Sequence, residues 1–304
     1  MRNMNLSKCD RKITGFSSIF VMIQFLTISF ACFISDLRAQ NVSVNLLTYN
    51  IRWANPEDAP NIWELRKDNV FSLIHESDPD VFGLQEALKS QVTDTEHAFP
   101  GYSRIGVGRD DGKEAGEYSP LFFKTDKYLL KESGVFWLSQ TPGIAGSRGW
   151  DAACNRVATW VELEDKISRK SFLVFCTHFD HMGVVARRNS ALLMLSAADS
   201  LAGGKPAVLL GDFNAMPGSE PYRILTDGTN RLHLLDASLI SEKTRGPSFT
   251  YTGFKVGGLE GEKIDYIFLK DIQKVDLYLV NQANNGEFYP SDHLPVSVSV
   301  QLFE

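Results

Sequence analysis

The chain is predicted to fold as a single α/β domain, with β-sheets packed face to face and helices outside. Three observations carry this. Most apolar runs have strand length, with only a few helix-length amphipathic stretches between them. No internal repeat, low-complexity tract or linker divides the chain. Several runs also end abruptly in Asn, Asp, Glu or His, as at the rim of a rigid sheet.

Residues 1–39 stand apart. Arg2, Lys8, Arg11 and Lys12 precede an apolar stretch over about 15–34, and Leu37-Arg38-Ala39 follows. That is the order of a secretory signal peptide, with cleavage after Ala39 and a domain over 40–304. The expected location is periplasmic or extracellular. An uncleaved membrane anchor is the second reading, because the stretch nearly spans a bilayer. Lipid attachment at Cys32 is the third. Five basic and two acidic residues leave with this segment, so the net charge of −6 becomes −9. So acidic a chain is not a general phosphate-backbone binder. Of the four cysteines only Cys154 and Cys176 remain. Cys176 lies in an apolar run and reads as a small buried hydrophobe. A disulfide between them is permitted by export but not implied.

Taken in order, Val42, Val44 and Leu46 alternate with polar residues and lead to Asn50, a strand ending in an amide. Asn61 and Glu64 resemble a capping pair for a helix over about 62–76, with Trp63, Val70 and Ile74 on one face. A short strand over 81–84 ends in Gln85-Glu86, and a second helix covers about 87–98. The Gly/Asp-rich segment 106–116 is a loop, followed by Glu117 and a strand over 120–123. Segment 138–155 is a long surface loop. Two strands follow at 157–163 and 172–177, joined by a charged turn, and the second ends in His178-Phe179-Asp180-His181. A helix over about 184–202 places Val184, Ala191, Leu195, Ala198 and Ala202 at helical spacing, and Gly203-Gly204 stops it.

The sharpest stretch is PAVLLGDFNAMPGSEP, residues 206–221. Its apolar run reads as a strand buried on both faces. It breaks into Gly211-Asp212-Phe213-Asn214, presenting a carboxylate and an amide two residues apart. Beyond it come a short helix over 222–225, a polar loop over 241–261, and strands over 263–269 and 275–280. Ser291-Asp292-His293 then precedes a last alternating strand.

The polar groups at these ends are Asn50, Glu86, His178, Asp212, Asn214, Asp265, Asp292 and His293. Each has an ordinary explanation. Asp212 and Asn214 make Asx turns, Glu86 sits at a helix start, His178 is a core histidine, and Asp265 pairs with Lys263. Together they form a hard-oxygen and imidazole set suited to Mg²⁺, with Mn²⁺ as the alternative ion. No HExxH or paired-cysteine spacing marks a zinc site, and no G-x-S-x-G elbow or P-loop marks a serine hydrolase or NTPase.

The ordered motifs LLTYN, LQE, CTHFD, GDFN, KIDYIFL and SDHLPV resemble the endonuclease/exonuclease/phosphatase family from about Val42 to the C-terminus. The resemblance implies a four-layered α/β sandwich, two mixed sheets between helices, that hydrolyses a phosphomonoester or phosphodiester with a metal and water. It makes Glu86 the main metal carboxylate, with Asn50 close by and Asp292 beside the site. Asp212 would orient or deprotonate the water, and Asn214 would hold the phosphate. His293 would contact the phosphoryl oxygens, its ring fixed by Asp265. Glu117 would pair with His178, and Arg156 would contact phosphate. Small-molecule, lipid-head-group or nucleotide esters are the expected substrates and a monomer the expected state. A secreted nuclease, and a silent binding module on the same fold, are the rival readings. His181 is read as a structural or rim residue, and Arg148 and Trp150 as rim residues. His75, His97 and His233, in helix or loop contexts, are read as surface residues.

Overall fold

The computed structural model describes residues 42–302, apart from 230–232, 259 and 273. The segment 1–39, read above as a signal peptide, lies outside the described residues. Among them, no helix is long and apolar enough to cross a membrane.

Two mixed sheets make the centre. Sheet I contains β1 (Ser43–Asn50), β2 (Val81–Gln85), β3 (Tyr102–Ile105), β4 (Leu121–Lys124), β10 (Thr244–Arg245), β12 (Lys274–Val280) and β13 (Val296–Gln301). Its order is β10-β12-β13-β1-β2-β4-β3. Sheet II contains β5 (Tyr128–Trp137), β6 (Val157–Asp165), β7 (Ser171–His178), β8 (Ala207–Asp212), β9 (Leu235–Asp236) and β11 (Asp265–Lys270). Its order is β5-β6-β7-β8-β11-β9. The helices are α1 (Trp63–Ser77), α2 (Lys89–Ala98), α3 (Val184–Ala202), α4 (Glu220–Thr226) and α5 (Ala237–Ile240).

The two-residue period of the strands sorts the side chains into layers. Val44 and Leu46 of β1 meet Val174 and Cys176 of β7, Val208 and Leu210 of β8, and Ile267 and Leu269 of β11 between the sheets. The opposite parity of sheet I, Leu47, Tyr49, Phe82 and Leu84, packs under α1 and α2 through Val70, Leu73, Ile74 and Val92. The opposite parity of sheet II, Leu173, Phe175, Leu209 and Phe268, packs under α3 through Ala191, Met194, Leu195 and Ala198. Each fully buried aliphatic or aromatic side chain stabilises by about 1.5–3 kcal/mol. The result is a four-layered sandwich. Gly83 sets the sheet spacing locally: a Cβ there would stand 2.3 Å from Leu210 Cδ1 and 2.7 Å from Cys176 Sγ.

Several local expectations change. Asn61 does not cap α1; Ile62 is the cap residue and contributes no side-chain bond. The buried Arg66 instead binds backbone carbonyls, donating to Asn61 O at 2.9 Å and Pro290 O at 3.2 Å. Val184 begins α3 exposed, and the buried face runs through Ala186, Ser190 and Met194 as well as the expected alanines. β3 and β5 were not anticipated. β5 is an edge strand whose residues 129–133 are exposed, so burial selects no alternating pattern there. His75 stacks on Phe99 with ring centroids 4.2 Å apart, so it is exposed but not unpartnered. Lys263 pairs with Asp236 at 3.0 Å and leaves Asp265 to another partner. Cys154 and Cys176 are free thiols, and Cys176 is buried in the inter-sheet core.

Candidate active site

Asn50, His178, Asp212 and Asp265 share the parity of the inter-sheet core residues on their own strands. His178, Asp212 and Asp265 each lie next to core residues along their strands, and Asn50 follows the buried Thr48, all at one end of the sandwich. The register makes this a cluster: β7 pairs His178 with Asp212, and β11 pairs Asp265 with Asp212. The apolar core therefore ends in a wall of polar groups fixed by three adjacent strands.

Asp212, 1 % exposed, is the hub. Its Oδ2 accepts from Asn50 Nδ2 at 3.0 Å and lies 3.3 Å from His178 Nε2 and 3.8 Å from His293 Nε2. Its Oδ1 accepts the Asn214 backbone N–H at 2.9 Å. Asn214 Nδ2 donates to Phe179 O at 2.9 Å and lies 3.1 Å from His178 Nε2. His293, on the segment before β13, places Nδ1 2.8 Å from Asp265 Oδ2. Ser291 Oγ ties that segment to β1 by donating to Asn50 O at 2.7 Å.

Glu86 follows β2 in the left-handed region, with φ 62. Its Oε1 accepts from Asn50 Nδ2 at 3.1 Å and its Oε2 from the Trp53 N–H at 3.2 Å. Asn214 and Arg52 also have left-handed backbones, φ 45 and 54. Such conformations cost of order 1–3 kcal/mol for residues other than glycine and concentrate where function demands a particular side-chain aim.

The electrostatics divide the titratable groups. Burial, reinforced by the charge of Asp265, pushes the Asp212 carboxyl up to about 7. A carboxylate near neutrality is a far better proton acceptor than one near its ordinary value of about 4. Burial disfavours the imidazolium at His293, but Asp265, and then Asp212 and Asp292, outweigh it and lift the ring well above its ordinary value. At His178 burial acts with the charges of Arg156 and Arg109 and holds the ring well below it. The two histidines are thus driven in opposite directions, His293 toward the imidazolium and His178 toward the neutral ring.

Glu117 is drawn elsewhere than expected. It forms a 2.6 Å ion pair with Arg109 and stays 4.0 Å from His178 Nδ1, which has no hydrogen-bond partner. Arg156 stands beside Asp180, with Nε 3.5 Å from Oδ2, and donates Nη2 toward His181 Nδ1 at 3.1 Å. Its Nε and Nη1 remain without hydrogen-bond partners although the residue is 4 % exposed. A buried guanidinium with unused donors is suited to an incoming anion.

These groups line a cavity of about 440 Å³. Eight of the ten anticipated residues form its wall; Asn50 and Asp265 lie behind it and act through their neighbours. Arg148 and Trp150 do not line it. Arg52, Trp53, Arg109, Tyr251 and Glu262 do, without any signal in their sequence context. His181 joins the wall.

Glu86 and Asp292 offer the donor chemistry for a cation. Both face the cavity, and burial followed by the charge of Glu86 raises the Asp292 carboxyl above its ordinary value. Two oxygen donors that repel one another, with the Asn50 amide beside them, fit a hard divalent ion. Asp212, Asp265 and His293 also bring ligand atoms within 4.8 Å of one another. There, however, the imidazolium already supplies the positive charge between the carboxylates.

Residues 47–293 match the model of the "Endonuclease/Exonuclease/phosphatase family". The chain belongs to this family. A family structure from Bacteroides vulgatus is 40% identical, covers 86% of this chain and 99% of its own, and superposes with a TM-score of 0.82. A mannosyl-6-phosphatase of Bacteroides thetaiotaomicron is 35% identical, with 84% and 99% covered and a TM-score of 0.79. Among curated proteins, Nocturnin of Drosophila melanogaster is 26% identical over 287 residues, 81% of this chain and 43% of that protein. The chain spans less than half the length of that relative. Membership in the family makes the protein a phosphoric ester hydrolase, built on the family's two mixed sheets and flanking helices.

Proposed function

We propose that this hydrolase cleaves a small phosphomonoester, of the sugar-phosphate type, with a divalent ion held by Glu86 and Asp292 and with Asn50 orienting Glu86. Mg²⁺ is the proposed ion and Mn²⁺ the alternative. When bound, the ion supplies neutralisation of phosphoryl charge and polarisation of the ester. The remaining work falls to the chain's own residues. Asp212 orients the attacking water and accepts its proton at Oδ2. Asn214 Nδ2 and His178 Nε2, 3.1 Å apart, face the phosphoryl oxygens. The His293 imidazolium stabilises charge developing on them, and Asp265 keeps that ring oriented and charged. Arg156 turns its unused donors to the phosphate.

The single observation that carries this reading is the convergence of Asn50, His178 and His293 on one buried carboxylate, Asp212, at the wall of a 440 Å³ cavity. The cavity has the size range of a small-ligand site. Its wall carries three arginines, Arg52, Arg109 and Arg156, against five carboxylates, Glu86, Glu117, Asp212, Glu262 and Asp292. The arginines are paired with Asp58, Glu117 and Asp180. Such a balance favours a small anion over a polyanionic strand, which is gripped by an excess of cations. The 35% identical mannosyl-6-phosphatase points to the same substrate class. Export through residues 1–39, with the mature chain starting at Gln40, belongs to the same proposal and is checked by mass spectrometry of the exported protein.

The test is a hydrolysis panel with Mg²⁺ or Mn²⁺ over hexose phosphates including mannose 6-phosphate, inositol phosphates, nucleotides, a chromogenic diester and plasmid DNA. Asp212→Asn serves as control. Fastest turnover on a phosphomonoester, lost in the variant, is expected. Preference for DNA or the diester would overturn the substrate class, and full activity in Asp212→Asn would overturn the mechanism.

A further inference from the structure

Beside the phosphate-facing groups, Cys154, Asp180 and His181 bring a thiol, a carboxylate oxygen and a ring nitrogen within 4.8 Å of one another. They come from two separate segments, the end of the 138–155 loop and the turn after β7. The carboxylate is pre-oriented. Asp180 Oδ1 accepts the N–H groups of Met182 at 3.0 Å and Gly183 at 2.7 Å, and Oδ2 accepts that of Cys154 at 3.1 Å. Asp180 therefore fastens the cysteine's own backbone. Burial opposes its ionisation, but those backbone donors hold the carboxyl down to about 2. Cys154 and His181 both line the 440 Å³ cavity, so an ion from solvent can reach them.

A cation already bridges two of the three groups. The Arg156 guanidinium places Nη2 3.1 Å from His181 Nδ1 and Nε 3.5 Å from Asp180 Oδ2. The arrangement thus accepts positive charge between carboxylate and imidazole, and a thiol stands within 4.8 Å of both. Thiolate, imidazole and carboxylate together are the donor set of a borderline-soft ion, not of Mg²⁺. Tetrahedral bonds of about 2.0–2.3 Å place donors roughly 3.5 Å apart, so the three groups need close by little more than 1 Å. A water would take the fourth position.

We propose that Cys154, Asp180 and His181 form a second cation site, for a thiophilic divalent ion such as Zn²⁺, which competes with Arg156 for His181 and Asp180. The site itself does not rest on the hydrolytic reading, because none of its three donors carries the proposed chemistry; only its coupling through Arg156 does. Occupancy releases Arg156 from both contacts and so couples the ion to whatever anion Arg156 holds.

Co²⁺ is the probe, because a sulfur-to-cobalt charge-transfer band in the near ultraviolet reports a thiolate ligand and is silent for an oxygen-ligated ion. The full chain is used with Cys9 and Cys32 replaced by serine, so that only Cys154 and Cys176 can contribute. A saturable band is expected that disappears in Cys154→Ser and Cys154→Ala and persists in Cys176→Ser. His181→Ala should raise the half-saturating Co²⁺ concentration at least ~10-fold, and Arg156→Gln should lower it. Absence of the band, or its survival without Cys154, overturns the site. Unchanged Co²⁺ affinity in Arg156→Gln, with the variant's melting temperature preserved, overturns the competition.

Discussion

Replacing Asp265 by Asn isolates the role of His293. The two side chains meet at 2.8 Å and are 1 % and 4 % exposed, and Asp265 is the charge that lifts the ring above its ordinary value against the opposing effect of burial. Asparagine keeps the size and an acceptor for Nδ1 but removes the charge. Two unit charges about 4 Å apart interact by about 4 kcal/mol at an effective dielectric of about 20. Loss of a preorganised charge stabiliser of this kind corresponds to a fall of roughly 10²–10³ in kcat. The direction with pH is the sharper signature. In the native protein Asp265 favours the imidazolium; in Asp265→Asn the ring loses its proton at lower pH. The alkaline limb of the kcat/KM profile should move to lower pH, and the deficit should shrink toward acid, where the variant ring is still protonated. Stability follows the same sign. A raised histidine contributes stability below about pH 6.5, lost as pH rises through the folded value. The melting-temperature penalty of the variant should therefore be largest at acid pH. An unmoved alkaline limb, with a deficit uniform across pH, would refute the role of Asp265 as the group that charges His293.

Three further outcomes follow from the geometry. Asp212→Asn should abolish turnover by at least ~10³-fold yet raise the melting temperature, because a carboxyl held up to about 7 by burial costs stability once the unfolded chain ionises above about pH 4. The gain should be larger at pH 8 than at pH 5, and a lower melting temperature at pH 8 would contradict it. Glu86→Gln should raise the Mg²⁺ concentration for half-maximal activity at least ~10-fold, while chelation should silence the native enzyme reversibly. Circular dichroism should register little change on chelation, since Glu86 and Asp292 line the cavity wall and are not part of the inter-sheet core. Gly83→Ala should lower stability by about 1–3 kcal/mol in urea titrations, because the new Cβ meets Leu210 and Cys176 across the sheet interface. An unchanged urea midpoint would show that the sheets can separate locally.

The strands that run through the site were legible because a strand-length apolar run ending in a polar residue is a local pattern. Residues 42–50, 172–178 and 207–212 each show an apolar pattern that breaks at a polar residue, and parity alone sends Asn50, His178 and Asp212 to the same side as the core. α3 and its glycine stop were legible for the same reason. β5 was not, because an exposed edge strand has no buried face to impose a pattern. What no single segment contains is the register that sets His178, Asp212 and Asp265 side by side on three strands. Nor does it contain the choice of Glu117 for Arg109 over His178, or the meeting of Cys154 with Asp180 and His181. The sequence by itself determined which side chains arrive at the sandwich end, since propensity and periodicity act over a few neighbours. Tertiary structure alone decided which of them touch and how burial moves Asp212 and the two histidines apart. Contact and desolvation depend on segments as distant as β1 and the approach to β13.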